Sequence, residues 1–229
     1  MACPSSELPG HQEAAAVTGP ALSESPDGGP VNKDDEAGEG GARLADLLDR
    51  LARVARGLQF DADLNPAQWE ALRFLGRANR QSRTPSGLAA YRCVTKGTAS
   101  QTLKSLTEKG YVASQRSPDD GRVRDLAVST TGQDLLSRDP LMTLARAARA
   151  LDPACCRAVT ETLGGLLQDV QQAQGWETFG VCTQCDHFRR GGGDAGAVLQ
   201  DGGKRHRCGL TGEGLGTRDI DRLCINFRG

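Results

Sequence analysis

The sequence predicts a mainly α-helical fold with a small β hairpin, and three observations predict it. The stretch TKGTASQTLKSLTEKGYV has helical spacing, with Ala99, Leu103, Leu106, Tyr111 and Val112 on one apolar face. Two short strand-like runs follow, 112–115 and 123–128, joined by Ser117-Pro118-Asp119-Asp120-Gly121-Arg122, whose Pro-Asp-Asp-Gly core is strong turn chemistry. A new helix start then stands at Val128-Ser129-Thr130-Thr131-Gly132. Helix, strand, basic turn, strand and helix in this order make a winged helix-turn-helix with flanking helices.

The elements follow in order. Residues 1–41 are rich in Ala, Gly, Pro, Ser and acids, cannot bury enough apolar surface to order themselves, and read as a disordered acidic tail. Leu44, Leu47, Leu48, Leu51, Val54, Ala55 and Leu58 space a helix over 43–59. Asn65-Pro66 opens a second, with Asn as N-cap, Pro in the first turn and Trp69, Leu72 and Leu75 facing inward. Thr84-Pro85 opens a third with Leu88 and Ala89 buried. The fourth has Thr95 as N-cap and Gly110 past its end, and pairs with the third as a helix-turn-helix. After the hairpin, Asp139-Pro140 breaks the next helix, because proline removes an amide donor and disfavours helical geometry in the residue before it. Asp152-Pro153 opens the last helix, with Val159, Leu163, Leu166, Leu167 and Val170 on one face. These boundaries divide the chain into an acidic tail (1–41), a winged-helix and dimerisation domain (42–175) and a cysteine-rich extension (176–229).

Charge sorts along the same divisions. Residues 1–42 hold eight acids and one lysine, residues 43–150 eighteen Lys or Arg and eleven acids, and residues 151–229 nine Lys or Arg and ten acids. The near-neutral whole therefore hides a block of +7 that coincides with the helix-turn-helix, as attraction to phosphate requires. On the exposed face of the fourth helix, Ser100, Gln101 and Lys104 are groups that reach base edges and phosphates in a major groove. Arg116, Arg122 and Arg124 crowd the hairpin, and a thin basic ribbon suits phosphates or the minor groove. Double-stranded DNA is the expected partner.

The segments GTASQTLKSLTEKGYV and DDGRVRDLAVSTTGQDLL resemble the winged-helix region of the MarR-type bacterial transcription regulators. Asp120 and Arg122 stand at that family's wing positions, and the resemblance spans roughly residues 44–172. It implies a homodimer whose terminal helices interlock, a cytoplasmic repressor, and a small-molecule effector pocket between the DNA-binding lobe and the dimer helices. The break at Asp139-Pro140 departs from the long unbroken helix common in the family. No run of 18 apolar residues predicts a membrane span and no basic-apolar leader opens the chain.

From Val181 the composition changes, with cysteines spaced Cys182-x2-Cys185-x22-Cys208-x15-Cys224 among glycines and few apolar residues. Such a short, core-poor segment needs a staple. Four thiolates on one metal supply it, so a small metal knuckle is expected, holding zinc or an iron–sulfur cluster in a structural or a sensing role. His187 and His206 are alternative ligands, and Lys204, Arg205 and Arg207 read as a solvated edge. Cys93 reads as a small buried core residue rather than an oxidation sensor. Cys155 and Cys156, adjacent in a helical first turn, share no face and form no site. No nucleophile–base–acid set is present, so no catalytic residue is expected. The rival readings are a metal- or redox-dependent enzyme, and an interaction module that reuses the winged-helix shape without reading DNA.

Overall fold

The computed structural model describes residues 33–116, 124–191, 206–217 and 219–229. The element order is α1 (Lys33–Gly57), α2 (Pro66–Arg77), α3 (Pro85–Tyr91), α4 (Lys96–Glu108), β1 (Val112–Arg116), β2 (Arg124–Val128), α5 (Thr130–Leu136), α6 (Met142–Ala148) and α7 (Pro153–Ala173). The extension adds β3 (Gly180–Val181), β4 (Phe188–Arg189), β5 (His206–Cys208), β6 (Gly214–Leu215) and β7 (Leu223–Cys224). The described residues divide into two units between Val54 and Ala55.

α1 starts at Lys33, earlier than the 43–59 spacing predicts, so the helix takes in residues assigned to the acidic tail. A Cβ added at Gly38, Gly40 or Gly41 would meet no atom within 4 Å, so no packing against this stretch calls for glycine. Leu44, Leu47, Leu51 and Val54 remain 40–55% exposed in the single chain.

The core of the larger unit forms where the caps fix the helices. Asn65 accepts from the Gln68 amide while Gln68 Oε1 accepts from the Asn65 amide, a reciprocal capping box ahead of Pro66. α2 then buries Trp69, Leu72, Phe74 and Leu75, which meet Leu88 of α3 and Ala99, Leu103 and Leu106 of α4 in one cluster. β1 and β2 pair antiparallel with Val112 opposite Val128 and Arg116 opposite Arg124. Val112 and Leu126 close the cluster from the sheet side.

Ser129 caps α5 by accepting from the Gly132 amide. A Cβ on Gly132 would lie 2.3 Å from the Tyr111 carbonyl oxygen, so only glycine fits this contact between α5 and the strand entrance. The Asp139-Pro140 break is real: α5 ends at Leu136 and α6 begins at Met142. Asp139 holds the break open by accepting from the Leu141 amide (2.9 Å) and from Arg73 Nη1 on α2 (2.9 Å). Asp152 caps α7 by accepting from the amides of Ala154 and Cys155. α7 buries none of its residues, and Val159, Leu166, Leu167 and Val170 are all exposed.

The extension is bonded to the winged helix at the α2–α3 loop. Ala78 bridges to Leu223 in parallel, and the Asn79 amide donates to the Leu223 carbonyl (2.8 Å). The Ile225 amide donates to Ser82 Oγ (2.9 Å), Asn226 Nδ2 to Gln81 Oε1 (3.2 Å) and Arg222 Nη1 to the Gly76 carbonyl (3.1 Å). Phe179 leaves the extension to pack edge-on against Phe74 and Tyr91.

Candidate nucleic-acid interface and cysteine cleft

Thr95 caps α4 by accepting from the Thr98 amide, and Gly110 turns the chain away at φ +77°. With Ala99, Leu103 and Leu106 buried, the helical period carries Ser100, Gln101 and Lys104 to the exposed face, as the spacing predicts. Gln68 of α2 donates to Ser105 Oγ (2.8 Å) and fixes the rotation of α4 about its axis. Arg92, after α3, pairs with Glu70 of α2 at 2.9 Å and sets the angle of the helix-turn-helix pair.

Between α4 and the hairpin lies a groove of about 310 Å³, with Leu103 and Leu126 at its floor and Ser100, Lys104 and Ser114 among its lining. Lys104 stands 3.7 Å from Glu108, and both side chains are mostly exposed. Such a pair is weak in water and yields readily to a phosphate. Arg116 and Arg124 are backbone partners at the last described register position of the hairpin. Arg122, with the turn 117–123, lies outside the described residues.

Cys93 corrects the sequence expectation. It is exposed, not buried, and takes the left-handed conformation (φ +51°) in the turn between α3 and α4. Cys155 and Cys156 are half-buried.

The extension brings three of its four cysteines to one cleft. Cys182 opens a 3-10 turn that ends before Cys185, Cys208 ends β5, and Cys224 ends β7 opposite Gly180 of β3. Cys182, Cys208 and Cys224 line a cleft of about 370 Å³ whose other wall includes Asn79, Arg80, Gln81 and Arg83 of the α2–α3 loop. Burial pushes the Cys182 thiol up to about 11, with the neighbouring Cys224, Cys185, Cys208 and Asp219 adding to the rise. Burial also raises Cys208, but hydrogen bonds from the Thr211 hydroxyl and the amides of Thr211 and Leu210 outweigh it and bring that thiol below its ordinary value. The Arg228 amide donates to Cys185 Sγ at 3.5 Å.

The seven described cysteines are all free thiols. Among the described residues no three His, Cys, Asp or Glu stand in the geometry that holds a single ion. His206 stacks on Phe188, and His187 offers its carbonyl to the Gly209 amide. Sequence reasoning missed Asn79, Gln81 and Ser82: they are ordinary polar residues of a loop, and their role exists only through partners some 130 to 145 positions away. Among the described residues no helix is long and apolar enough to cross a membrane.

Residues 62–123 match the model of the MarR family. Among solved structures, the MarR family transcription regulator SP03579 is 14% identical with a TM-score of 0.50, over 62% of this chain and 95% of that one. Streptococcus pneumoniae FabT in complex with DNA is 20% identical with a TM-score of 0.48, over 60% of this chain and 99% of that one. CouR from Rhodococcus jostii RHA1 bound to p-coumaroyl-CoA is 18% identical with a TM-score of 0.46, over 54% and 90%. No curated protein matches the chain. The chain thus has the winged-helix fold of MarR family regulators, with residues 62–123 carrying the family's sequence pattern.

Proposed function

We propose that this chain is a sequence-specific DNA-binding transcription regulator that works as a homodimer, most simply as a repressor that occupies its site. The observation that carries the reading is the α4 face, where Ser100, Gln101 and Lys104 are exposed while the opposite side is locked into the core. Gln101 has the paired donor and acceptor that read an adenine edge, and Lys104 suits a phosphate or a guanine. Arg116, Arg124 and Arg122 extend the positive charge along the hairpin, where contacts position the protein more than they specify sequence. The surplus of basic residues over 43–150 supplies the long-range attraction.

The apolar stripes support the homodimer. α1 and α7 each expose a row of leucines and valines that a single chain leaves in water. A second copy covers them and sets two recognition helices about 10 base pairs apart. The four cysteines of the extension serve as ligands of one metal centre, zinc or iron–sulfur.

Selection of bound duplexes from random DNA with the full chain tests the reading. It is expected to enrich two related half-sites about one helical turn apart. Gln101→Ala is expected to relax the preference at one base pair of each half-site and leave the rest. Failure to enrich any sequence overturns sequence-specific reading.

A further inference from the structure

The extension carries a basic surface of its own. β4 and β5 pair antiparallel, with Arg189 and Arg207 as backbone partners. Both guanidiniums lie against the turn that follows β5. Arg189 Nη1 donates to the carbonyls of Asp186 (2.7 Å) and Phe188 (3.2 Å), and a Cβ on Gly209 would lie 3.3 Å from its Nε. Arg207 Nε donates to the Gly212 carbonyl (2.9 Å). These bonds occupy one nitrogen of each group, out of a fork with five N–H donors. Arg189, Arg190 and Arg207 are exposed. Among the described residues no carboxylate pairs with any of the three. Like charges opposite one another on paired strands are unfavourable, and a shared anion relieves that repulsion. The surplus is local: residues 176–229 hold eight Lys or Arg and seven acids, whereas 187–190 and 206–212 together hold three arginines and no acid.

The turn that carries these arginines docks on the helix-turn-helix. Gln81 of the α2–α3 loop donates to Thr211 Oγ1 (3.0 Å) and to Glu213 Oε2 (2.6 Å), so the acid that ends the turn is engaged by the loop. Ser82 and Asn79 fix the loop to β7 and the residues after it. Gln81 stands four residues before Pro85, and Pro85 lines the α4 groove together with Ser100 and Lys104. Four residues span at most about 14 Å, which is about four base pairs of duplex at 3.4 Å per step.

We propose, on the DNA-binding reading above, that Arg189, Arg190 and Arg207 grip the phosphate backbone beside the half-site that α4 reads, as a second DNA-contacting surface of each chain. The first helix of a helix-turn-helix pair crosses the backbone, so a body fixed just ahead of α3 is carried to the neighbouring phosphates. The guanidinium fork matches a phosphate with two parallel bonds. A duplex already held by α4 presents such groups within reach of the turn. Contacts of this kind add affinity and fix register without reading sequence.

The experiment uses the full chain and the selected duplex, extended by about ten base pairs, one helical turn, beyond each half-site. A double variant, Arg189→Ala with Arg207→Ala, is expected to lower the slope of log affinity against log salt by about 0.9 for each arginine removed, on matched and mismatched duplexes alike. Arg189→Lys with Arg207→Lys keeps the charge and is expected to keep the slope. Neutralising the backbone phosphates one at a time, as methylphosphonates, gives their place. At least one phosphate is expected to weaken the parent chain when neutralised and to leave the alanine variant unaffected. Lys104→Ala is expected to bind more weakly and still to respond at that phosphate. Where the alanine pair fails to fold, Arg190→Ala, at an exposed position beside it, takes its place. A lysine pair that loses slope as the alanine pair does would show a structural role and overturn the contact. Unchanged slope and an unchanged phosphate scan in the alanine variants would also overturn it, leave the DNA reading standing and turn this surface to an acidic protein. A parent chain that binds no duplex would overturn the DNA reading itself, and this surface with it.

Discussion

Replacing Asp139 tests how the broken helix after the hairpin is held to the core. Its carboxylate accepts from Arg73 Nη1 at 2.9 Å, and the two side chains are only 11% and 15% exposed. The same oxygen accepts from the Leu141 amide. Asp139→Ala removes the oxygen that accepts both bonds and leaves a largely buried guanidinium with the Gln59 amide oxygen as its remaining partner in this contact. Loss of one partner of a fully buried pair costs about 3–5 kcal/mol. The residual exposure places this pair at the low end, about 3 kcal/mol. Asp139→Asn keeps an oxygen for both donors and gives up only the charge, about 1 kcal/mol. Urea unfolding followed by the fluorescence of Trp69, fully buried in α2, reads the difference. For a unit of this size, about 3 kcal/mol lowers the melting midpoint by roughly 6–12 °C. Adding Arg73→Met to Asp139→Ala is expected to recover part of the loss, because the stranded charge is gone. An Asp139→Ala protein within about 0.5 kcal/mol of wild type, or no recovery in the double variant, would refute the reasoning.

Three further outcomes follow from particular contacts. Gly132→Ala drives a Cβ against the Tyr111 carbonyl and is expected to cost about 2–3 kcal/mol; a melting curve that overlays wild type contradicts the close contact. Leu167→Asp sits at a position 59% exposed in the single chain, so it is expected to leave the fold intact and convert a sedimenting dimer to monomer; a well-folded dimer shows that α7 is not at the interface. In metal-free protein at mildly alkaline pH, iodoacetamide is expected to modify Cys208 before Cys182, since the first thiol lies below its ordinary value and the second is pushed up to about 11. Mass spectrometry of the peptides gives the order, and equal rates contradict it.

The winged helix was legible because its signals are local. Asn65-Pro66, Thr84-Pro85 and Asp152-Pro153 each place a capping side chain directly before a proline, and each opens a helix in the structure. The apolar period of 96–108 fixes which side of α4 faces out, and so exposes Ser100, Gln101 and Lys104 together. Cys93 was misread because its residue type favours burial, whereas it sits exposed in a left-handed turn that no apolar period marks. The start of α1 was missed because Gly38, Gly40 and Gly41 are poor helix formers without an apolar signal. The attachment of the extension was invisible for a different reason. Gln81, Ser82, Asn226 and the Leu223 carbonyl bond across well over a hundred residues, and no periodicity records which polar side chains will meet. That cysteines of the extension come near one another was readable in outline from their spacing, but not that Cys182, Cys208 and Cys224 share a cleft with the helix-turn-helix loop as its opposite wall.

DNA reading through α4 and the hairpin is tested most directly by the salt dependence of binding to a selected duplex. Each cation that neutralises a phosphate contributes about 0.9 to the slope of log affinity against log salt. Lys104→Ala and Arg122→Ala are each expected to lower that slope by about 0.9, with affinity weakened across matched and mismatched sequences alike. Wild-type slopes in both variants, or binding by the parent chain that ignores salt, would contradict DNA recognition by this face.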